Sequence, residues 1–457
     1  ILYIFLNMRR NSANQIKKEE TVMGKFGKGD TSWFVRDRFG MFIHWGLYSM
    51  PARHEWVRHH EEITDEDYQK YFDHFNPDLF DPKAWAEMAR KAGMKYFVIT
   101  AKHHEGFCMW DSKYTDYKVT RTKCGRDLLR EVVDAFRAEG LRVGFYYSLL
   151  DWHHPDFILD NSKGPYRNLS EEERGKMNRG RDMKRYAQYM RDQVRELLTN
   201  YGKIDILWFD FSYPSPDGNP EHGKSHIDWE SEELVKMIRS IQPDIILDNR
   251  LDLPDEGDIH TPEQFTPDEP LKDADGNPVV WEGCQTFSGS WGYHRDEQTW
   301  KSPKQCIDIL INHVCRDGNL LMNVGPTSRG YLDLRAQNCL KAYADWMHYN
   351  SRSIYNCGRA PEGIQAPPDT RYTYNRETNT LYLHLMNWPF RHIHLPGLAG
   401  KIAYAQLLHD GSEIKLREPK TAIHANLNSK TPDQAATLEL PVIKPDVEVP
   451  VIELFLK

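Results

Sequence analysis

Cysteine is sparse and its spacing carries no pattern. The seven thiols, Cys108, Cys124, Cys284, Cys306, Cys315, Cys339 and Cys357, are odd in number and include no CxxC pair. That argues against a disulfide framework and against a structural zinc site, and leaves buried, reduced thiols as the default. Long apolar runs are missing too. The opening ILYIFL is six residues long, is followed by Arg9 and Arg10, and lacks a charged n-region and a small-residue cleavage site, so it reads as neither a signal peptide nor a membrane span. Positive charge is in deficit: the net charge of −8 and a pI near 6.2 point away from nucleic acid and from an anionic membrane surface, and towards neutral substrates. No GxGxxG follows the first apolar strand, which removes the dinucleotide-binding reading. Internal repeats and low-complexity segments are absent. With no signal peptide and unpaired thiols, the cytoplasm is slightly favoured. Residues 1–29 are expected to be an N-terminal extension, with residues 1–22 not native and Met23 the natural start.

What is present is an ordinary globular composition with room for a large core. Aromatic residues make up 12%, including 13 Trp and 23 Tyr, enough to supply stacking platforms for a sugar as well as ordinary core packing. From about residue 30 to 350, apolar β-rich runs alternate with helical stretches. The runs fall at 38–46, 95–104, 141–150, 204–211, 244–250, 279–284 and 319–326. Their near-continuous hydrophobicity marks parallel strands covered on both faces. Helix punctuation lies between them: Asp81 before Pro82 with Gly93 as stop, Asp127 with Gly140, and Ser302 before Pro303. Seven βα units in one run predict a (β/α)8-type barrel over residues 30–357, with the eighth strand not located. Beyond residue 358 the pattern changes to short alternating segments with turn residues, which predicts a C-terminal antiparallel β-sandwich over 358–457.

In such a barrel the active site forms at the C-terminal ends of the strands. Those ends carry His44, His103, His104, Tyr146, Trp208, Asp210 and Arg250, and the loop and strand that follow carry Glu263 and Glu282. Asp210 closes the buried run IDILWFD, and a carboxylate is costly to bury unless it has a task. Two facing carboxylates are what glycoside hydrolysis needs, one to attack the anomeric carbon and one to protonate the leaving oxygen. Asp210 suits the nucleophile, with Arg250 one strand over favouring its charged form. Both Glu263 and Glu282 qualify as the acid. Neutral imidazoles at strand ends can grip sugar hydroxyls, and Trp56, Trp152 and Trp291 are candidates for ligand contact. A metal reading would gather His44, His103, His104, His153, His154 and Asp210, but adjacent strand residues such as His103 and His104 face opposite ways, and strand one has no HxH.

The segments RFGMFIHWGLYSMPARHEW (38–56), TAKHHEGFCMWDSKYTDYKV (100–119), GLRVGFYYSLLDW (140–152), IDILWFD (204–210) and GNLLMNVGPTSRG (318–330) closely resemble the α-L-fucosidases of glycoside hydrolase family 29. The resemblance implies a retaining double displacement through a covalent fucosyl-enzyme, with Asp210 as nucleophile. It carries sugar-binding roles onto His44, Glu55, Trp56, His103, His104, Tyr146, Trp208 and Arg250, and places Phe42 and Trp291 around the C6 methyl of fucose. Glu263, in a TPE segment past Arg250, resembles the acid/base position of several members and is preferred to Glu282. Gln264 stands where some relatives have an aromatic residue, a departure that bears on the pocket wall and the linkage preference. The implied partner is a fucosylated oligosaccharide or glycoconjugate, with no cofactor, no metal, no nucleic acid and no membrane; a homo-oligomer is compatible. The alternatives are a catalytically inactive, lectin-like fucose binder on the same scaffold, and a metal-dependent barrel hydrolase.

Overall fold

The computed structural model describes residues 27–254, 257–417 and 434–457. The expected extension lies outside the described residues as far as residue 26. Seven of the apolar runs form strands: β1 (Phe39–Ile43), β2 (Tyr96–Lys102), β3 (Arg142–Ser148), β4 (Ile206–Asp210), β5 (Ile246–Leu247), β6 (Glu282–Thr286) and β7 (Asn319–Val324). They pair in parallel in the order β5-β4-β3-β2-β1-β7-β6. Nearly every residue in them is buried, as both-face coverage requires.

The strand missing from the sequence reading is residues 259–263. It lies between β5 and β6 and is held by single parallel bridges, Asp248 to Ile259 on one side, His260 to Trp281 and Glu263 to Cys284 on the other. The Ile259 N–H donates to Leu247, the His260 N–H to Val280, and the Cys284 N–H to the carbonyl of Pro262. These bonds close the curled sheet into an eight-membered ring. The segment reads IHTPE, with one aliphatic residue and a proline that cannot donate to the ladder, so it has neither a strand's pattern nor a continuous strand's hydrogen bonds.

The helices begin and end where their punctuation predicts. Asp81 caps Pro82–Lys91 by accepting from the Lys83 and Ala84 N–H groups, Asp127 caps Leu128–Ala138, and Ser302 forms a capping box with Gln305 before Pro303–Val314. Their apolar faces pack on the outer faces of the strands.

The C-terminal strands are β8 (Cys357–Gly358), β9 (Thr370–Asn375), β10 (Thr380–Leu385), β11 (His392–Leu395), β12 (Ile402–Leu407), β13 (Lys415–Arg417), β14 (Ala436–Glu439) and β15 (Val451–Leu456). They form a five-stranded sheet, β12-β15-β10-β9-β8, and a three-stranded sheet, β11-β14-β13. Leu381, Leu383, Leu395, Leu438 and Ile452 share one core drawn from both sheets, which is sandwich packing. Trp346 donates to the Val449 carbonyl at 3.2 Å and Arg352 pairs with Glu453 at 2.8 Å, tying this region to the last barrel helix and the short turn after it. Among the described residues, no helix is long and apolar enough to cross a membrane.

Asp258 pins the start of the closing segment. Its carboxylate, 1% exposed, accepts from Arg239 at 2.6 Å, from the Leu247 N–H at 2.7 Å and from the Gly29 N–H at 2.8 Å. Replacing Asp258 with Ala strands the buried Arg239 guanidinium and should destabilise the protein by ~3–5 kcal/mol. Thermal and denaturant unfolding midpoints should both fall; unchanged midpoints would show that the seam is held by other contacts.

Candidate active site

Strand alternation decides which side chains enter the barrel. In β4, Ile206 and Trp208 pack into the inner cluster while Leu207 and Phe209 join the outer core, so Asp210 at the strand end faces inward. The β3 register sets Tyr146 opposite Trp208. At the C-terminal mouth these side chains surround a cavity of about 380 Å³, within the usual range for a small-molecule site. Of the residues expected at the site, His44, Glu55, Trp56, His103, His104, Tyr146, Trp208, Asp210, Glu263, Phe42 and Trp291 all line it. Arg250 and Glu282 do not.

Arg250 stands behind the lining and joins two carboxylates. Its Nη1 donates to Asp210 Oδ1 at 2.7 Å and its Nη2 to Glu263 Oε2 at 3.0 Å. The same guanidinium bonds Thr261 through Nε and Nη2, and its plane lies 4.4 Å from the Trp208 ring centroid. Tyr146 donates to the other oxygen of Asp210 at 2.8 Å. The two carboxylates differ in exposure: the Asp210 side chain is 12% exposed and that of Glu263 is 42%. Burial raises the Glu263 carboxyl above its ordinary value, an effect that Arg250 opposes and the Asp210 charge reinforces. One carboxylate is thus enclosed by donors, and the other is open to solvent with its carboxyl shifted upward.

The polar floor is preorganised. Asn323 donates through Nδ2 to the Trp291 carbonyl at 2.7 Å, so its Oδ1 is an acceptor and His44 Nδ1, 2.7 Å away, must donate to it. Burial holds His44 neutral, which leaves its Nε2 as an acceptor for a ligand hydroxyl. His104 is also kept neutral by burial and pairs with Ser148 through Nδ1 at 2.6 Å. Glu55 accepts the Trp291 and Gly292 N–H groups on Oε2, at 3.1 and 2.9 Å. Its buried Oε1 has no donor: His54 Nδ1, 3.3 Å away, is already the acceptor of the Trp56 N–H. A ligand hydroxyl would supply what Oε1 lacks. Phe42 and Trp291 meet with ring centroids 5.8 Å apart beside His44 and form an apolar patch of the wall.

Glu282 lies one layer below. It shares the inner face of β6 with Cys284, which lines the cavity, and sits two residues deeper. Its side chain is fully buried, accepts from the Tyr96 hydroxyl, and is pushed up to about 8 by burial, against the opposing effect of that hydrogen bond. His153 and His154 are elsewhere: the first stacks on Tyr117 and faces Asp65, and the second packs on Tyr189. Trp152 packs against Trp56. Among the described residues no cluster of three or more His, Cys, Asp or Glu is arranged to hold a metal.

The sequence reading missed Asn323, and it missed His54, His60, Phe211, Cys284 and Gly289 in the lining. The alternation of β6 could have found Cys284 once Glu282 was placed. No sequence signal marks the backbone strain beside the three cavity carboxylates. His54, Phe211 and Gln264, each adjacent to one of them, have φ of 97°, 74° and 59°.

A family model described as alpha-L-fucosidase matches residues 6–352. Among solved structures, alpha-L-fucosidase isoenzyme 1 from Paenibacillus thiaminolyticus is 44% identical, with a TM-score of 0.84 over 93% of this chain and 98% of that one. An alpha-L-fucosidase from Bacteroides thetaiotaomicron, solved as a trapped covalent intermediate with 2-fluoro-fucosyl fluoride, is 28% identical, with a TM-score of 0.79 over 95% and 98%. Mouse tissue alpha-L-fucosidase is 28% identical over 382 residues, 78% of each chain.

The burial of Glu282 has a consequence for stability. Its folded value of about 8 exceeds its ordinary 4.5, so the folded state keeps a proton that the unfolded state releases. The stabilising contribution is complete below pH ~4.5 and is lost as pH rises towards 8. Glu282→Gln should therefore be as stable as the parent near pH 4.5 and more stable at pH 8, as read from denaturation midpoints at both values. Parallel curves across that window would contradict the assignment.

Proposed function

The chain belongs to the alpha-L-fucosidase family, and from that premise we propose roles for the cavity residues in the hydrolysis of terminal α-L-fucosides. The protein is a retaining glycoside hydrolase. Asp210 attacks the anomeric carbon and the glycosidic C–O bond breaks. Glu263 transfers its proton to the departing oxygen, and a β-linked fucosyl-enzyme remains. Glu263, now a carboxylate, takes a proton from water, whose oxygen attacks the same carbon. That step releases fucose with its original configuration and returns Asp210 to the carboxylate form.

The observation that carries the assignment is the Arg250 fork. Arg250 and Tyr146 both donate to Asp210, an arrangement suited to a carboxylate nucleophile, while the Glu263 carboxyl is shifted upward, the direction an acid needs. Glu282 has the raised value of an acid but no path to a ligand, which favours Glu263. Asp210 and Glu263, two cavity carboxylates bridged by Arg250, favour turnover over binding alone. His44, His103, His104, Glu55 and Trp56 serve as hydroxyl-binding groups, and Phe42 with Trp291 receives the methyl group. Residues 30–357 are proposed as the catalytic unit and 358–457 as a distinct β-sandwich domain.

Azide separates the two carboxylate roles by stereochemistry. Asp210→Ala should lose ~10³-fold or more in kcat on an aryl fucoside. With azide it should form the inverted β-L-fucosyl azide, since azide then attacks the substrate itself. Glu263→Ala, assayed with an activated leaving group, should form the retained α-L-fucosyl azide, since azide replaces water in the second step. Exchange of the two products, or azide rescue only in Glu282→Ala, would overturn the assignment.

A further inference from the structure

Beside the cavity stands a cation without a carboxylate partner among the described residues. Lys163 lies in the loop after β3, and its Nζ is 5.5 Å from the Phe211 ring centroid and 5.9 Å from that of Trp56. Both rings line the cavity, and Phe211 directly follows Asp210. The carboxylates near this loop are committed to other cations. Asp160 pairs with Lys224 at 2.9 Å, both side chains fully buried, and accepts from Tyr213 at 2.6 Å. Glu62 pairs with Arg167 at 3.2 Å, and Asp65 is taken by Arg58 and Tyr166. Among the described residues, no carboxylate comes within ion-pair distance of Lys163.

The loop holds this lysine in place from both sides. Asp160 Oδ1 accepts the Ser162 and Lys163 N–H groups, at 2.9 and 2.7 Å. Gly164 donates to His59 Nδ1 at 3.1 Å. It adopts a left-handed conformation (φ 85°) against Trp152, whose ring would lie 2.8 Å from an added Cβ, so only glycine allows the loop to seat here. Arg167 donates to the His59 carbonyl. An ammonium on an anchored backbone loses less freedom on meeting a ligand than one on a free loop. Half-buried over two aromatic faces, it also keeps more of its field than a fully solvated lysine would.

Fucose in the cavity would leave the rest of the glycan to exit over the rim. We propose that Lys163 recognises an anionic substituent, a carboxylate or a sulfate ester, on the saccharide to which the terminal fucose is attached. The proposal rests on the fucosidase reading above and adds to it a preference for acidic glycans. Its rival is a packing role, in which the lysine stem merely covers Trp56 and Phe211.

Three fucosyl disaccharides separate the possibilities: one with a neutral N-acetylglucosamine, its 6-O-sulfate, and one with glucuronic acid. The unaltered enzyme should show kcat/KM about tenfold higher for at least one anionic substrate than for the neutral one. The preference should shrink with added salt. Preference for the sulfate or for the uronate identifies the anion. Lys163→Met keeps the stem and should abolish the preference while leaving the neutral substrate within about twofold; Lys163→Arg should retain it. No preference in the unaltered enzyme, or a parallel loss on all three substrates in Lys163→Met, would overturn the proposal. Failure of the unaltered enzyme to cleave the neutral disaccharide would instead count against the fucosidase reading itself.

Discussion

One guanidinium organises both the closure and the chemistry of this barrel. Arg250 bonds the enclosed Asp210 and the solvent-facing Glu263, and with its remaining donors it bonds Thr261 in the segment that completes the ring. The planar fork fixes these partners in relation to each other, which a lysine could not do with a single ammonium. Placing Glu263 on an irregular closing segment has a structural logic: a residue there can remain half-exposed while its backbone is still bridged to β6. Asp210, at the end of a regular buried strand, has no such latitude and needs none.

Around that fork the pocket divides by chemistry. A neutral His44 with assigned donor and acceptor nitrogens and a glutamate oxygen without a partner supply polar tips, and Phe42 with Trp291 supplies apolar surface. Burial does two different things here. It keeps His44 and His104 neutral, and so able to accept as well as donate, and it raises the Glu263 carboxyl above its ordinary value. Both are effects of excluding water, acting on groups of opposite charge type.

The parallel strands were legible because burial on both faces leaves an unbroken apolar run, and Asp210 was legible because a carboxylate closing such a run is costly. The eighth strand was not, since IHTPE satisfies its ladder through single bridges around a proline and carries almost no apolar signal. Glu282 shows a different limit. Its residue type and its strand both suggest an acid, and only the register against Cys284 reveals that it lies a layer too deep. The tautomer of His44 depends on Asn323, which is distant in sequence, and the strained backbone at His54, Phe211 and Gln264 arises from tertiary packing that no local pattern encodes.

The central claim is that Asp210, held by Arg250 and Tyr146, forms the covalent bond to the sugar. The most direct measurement is to inactivate the protein with a 2-fluoro-fucosyl fluoride, digest it, and locate the added mass by peptide fragmentation. The account predicts one fluorofucosyl group per chain, on Asp210 within IDILWFD. A label on Glu263 or any other side chain, or hydrolysis with inversion and no label, would contradict it.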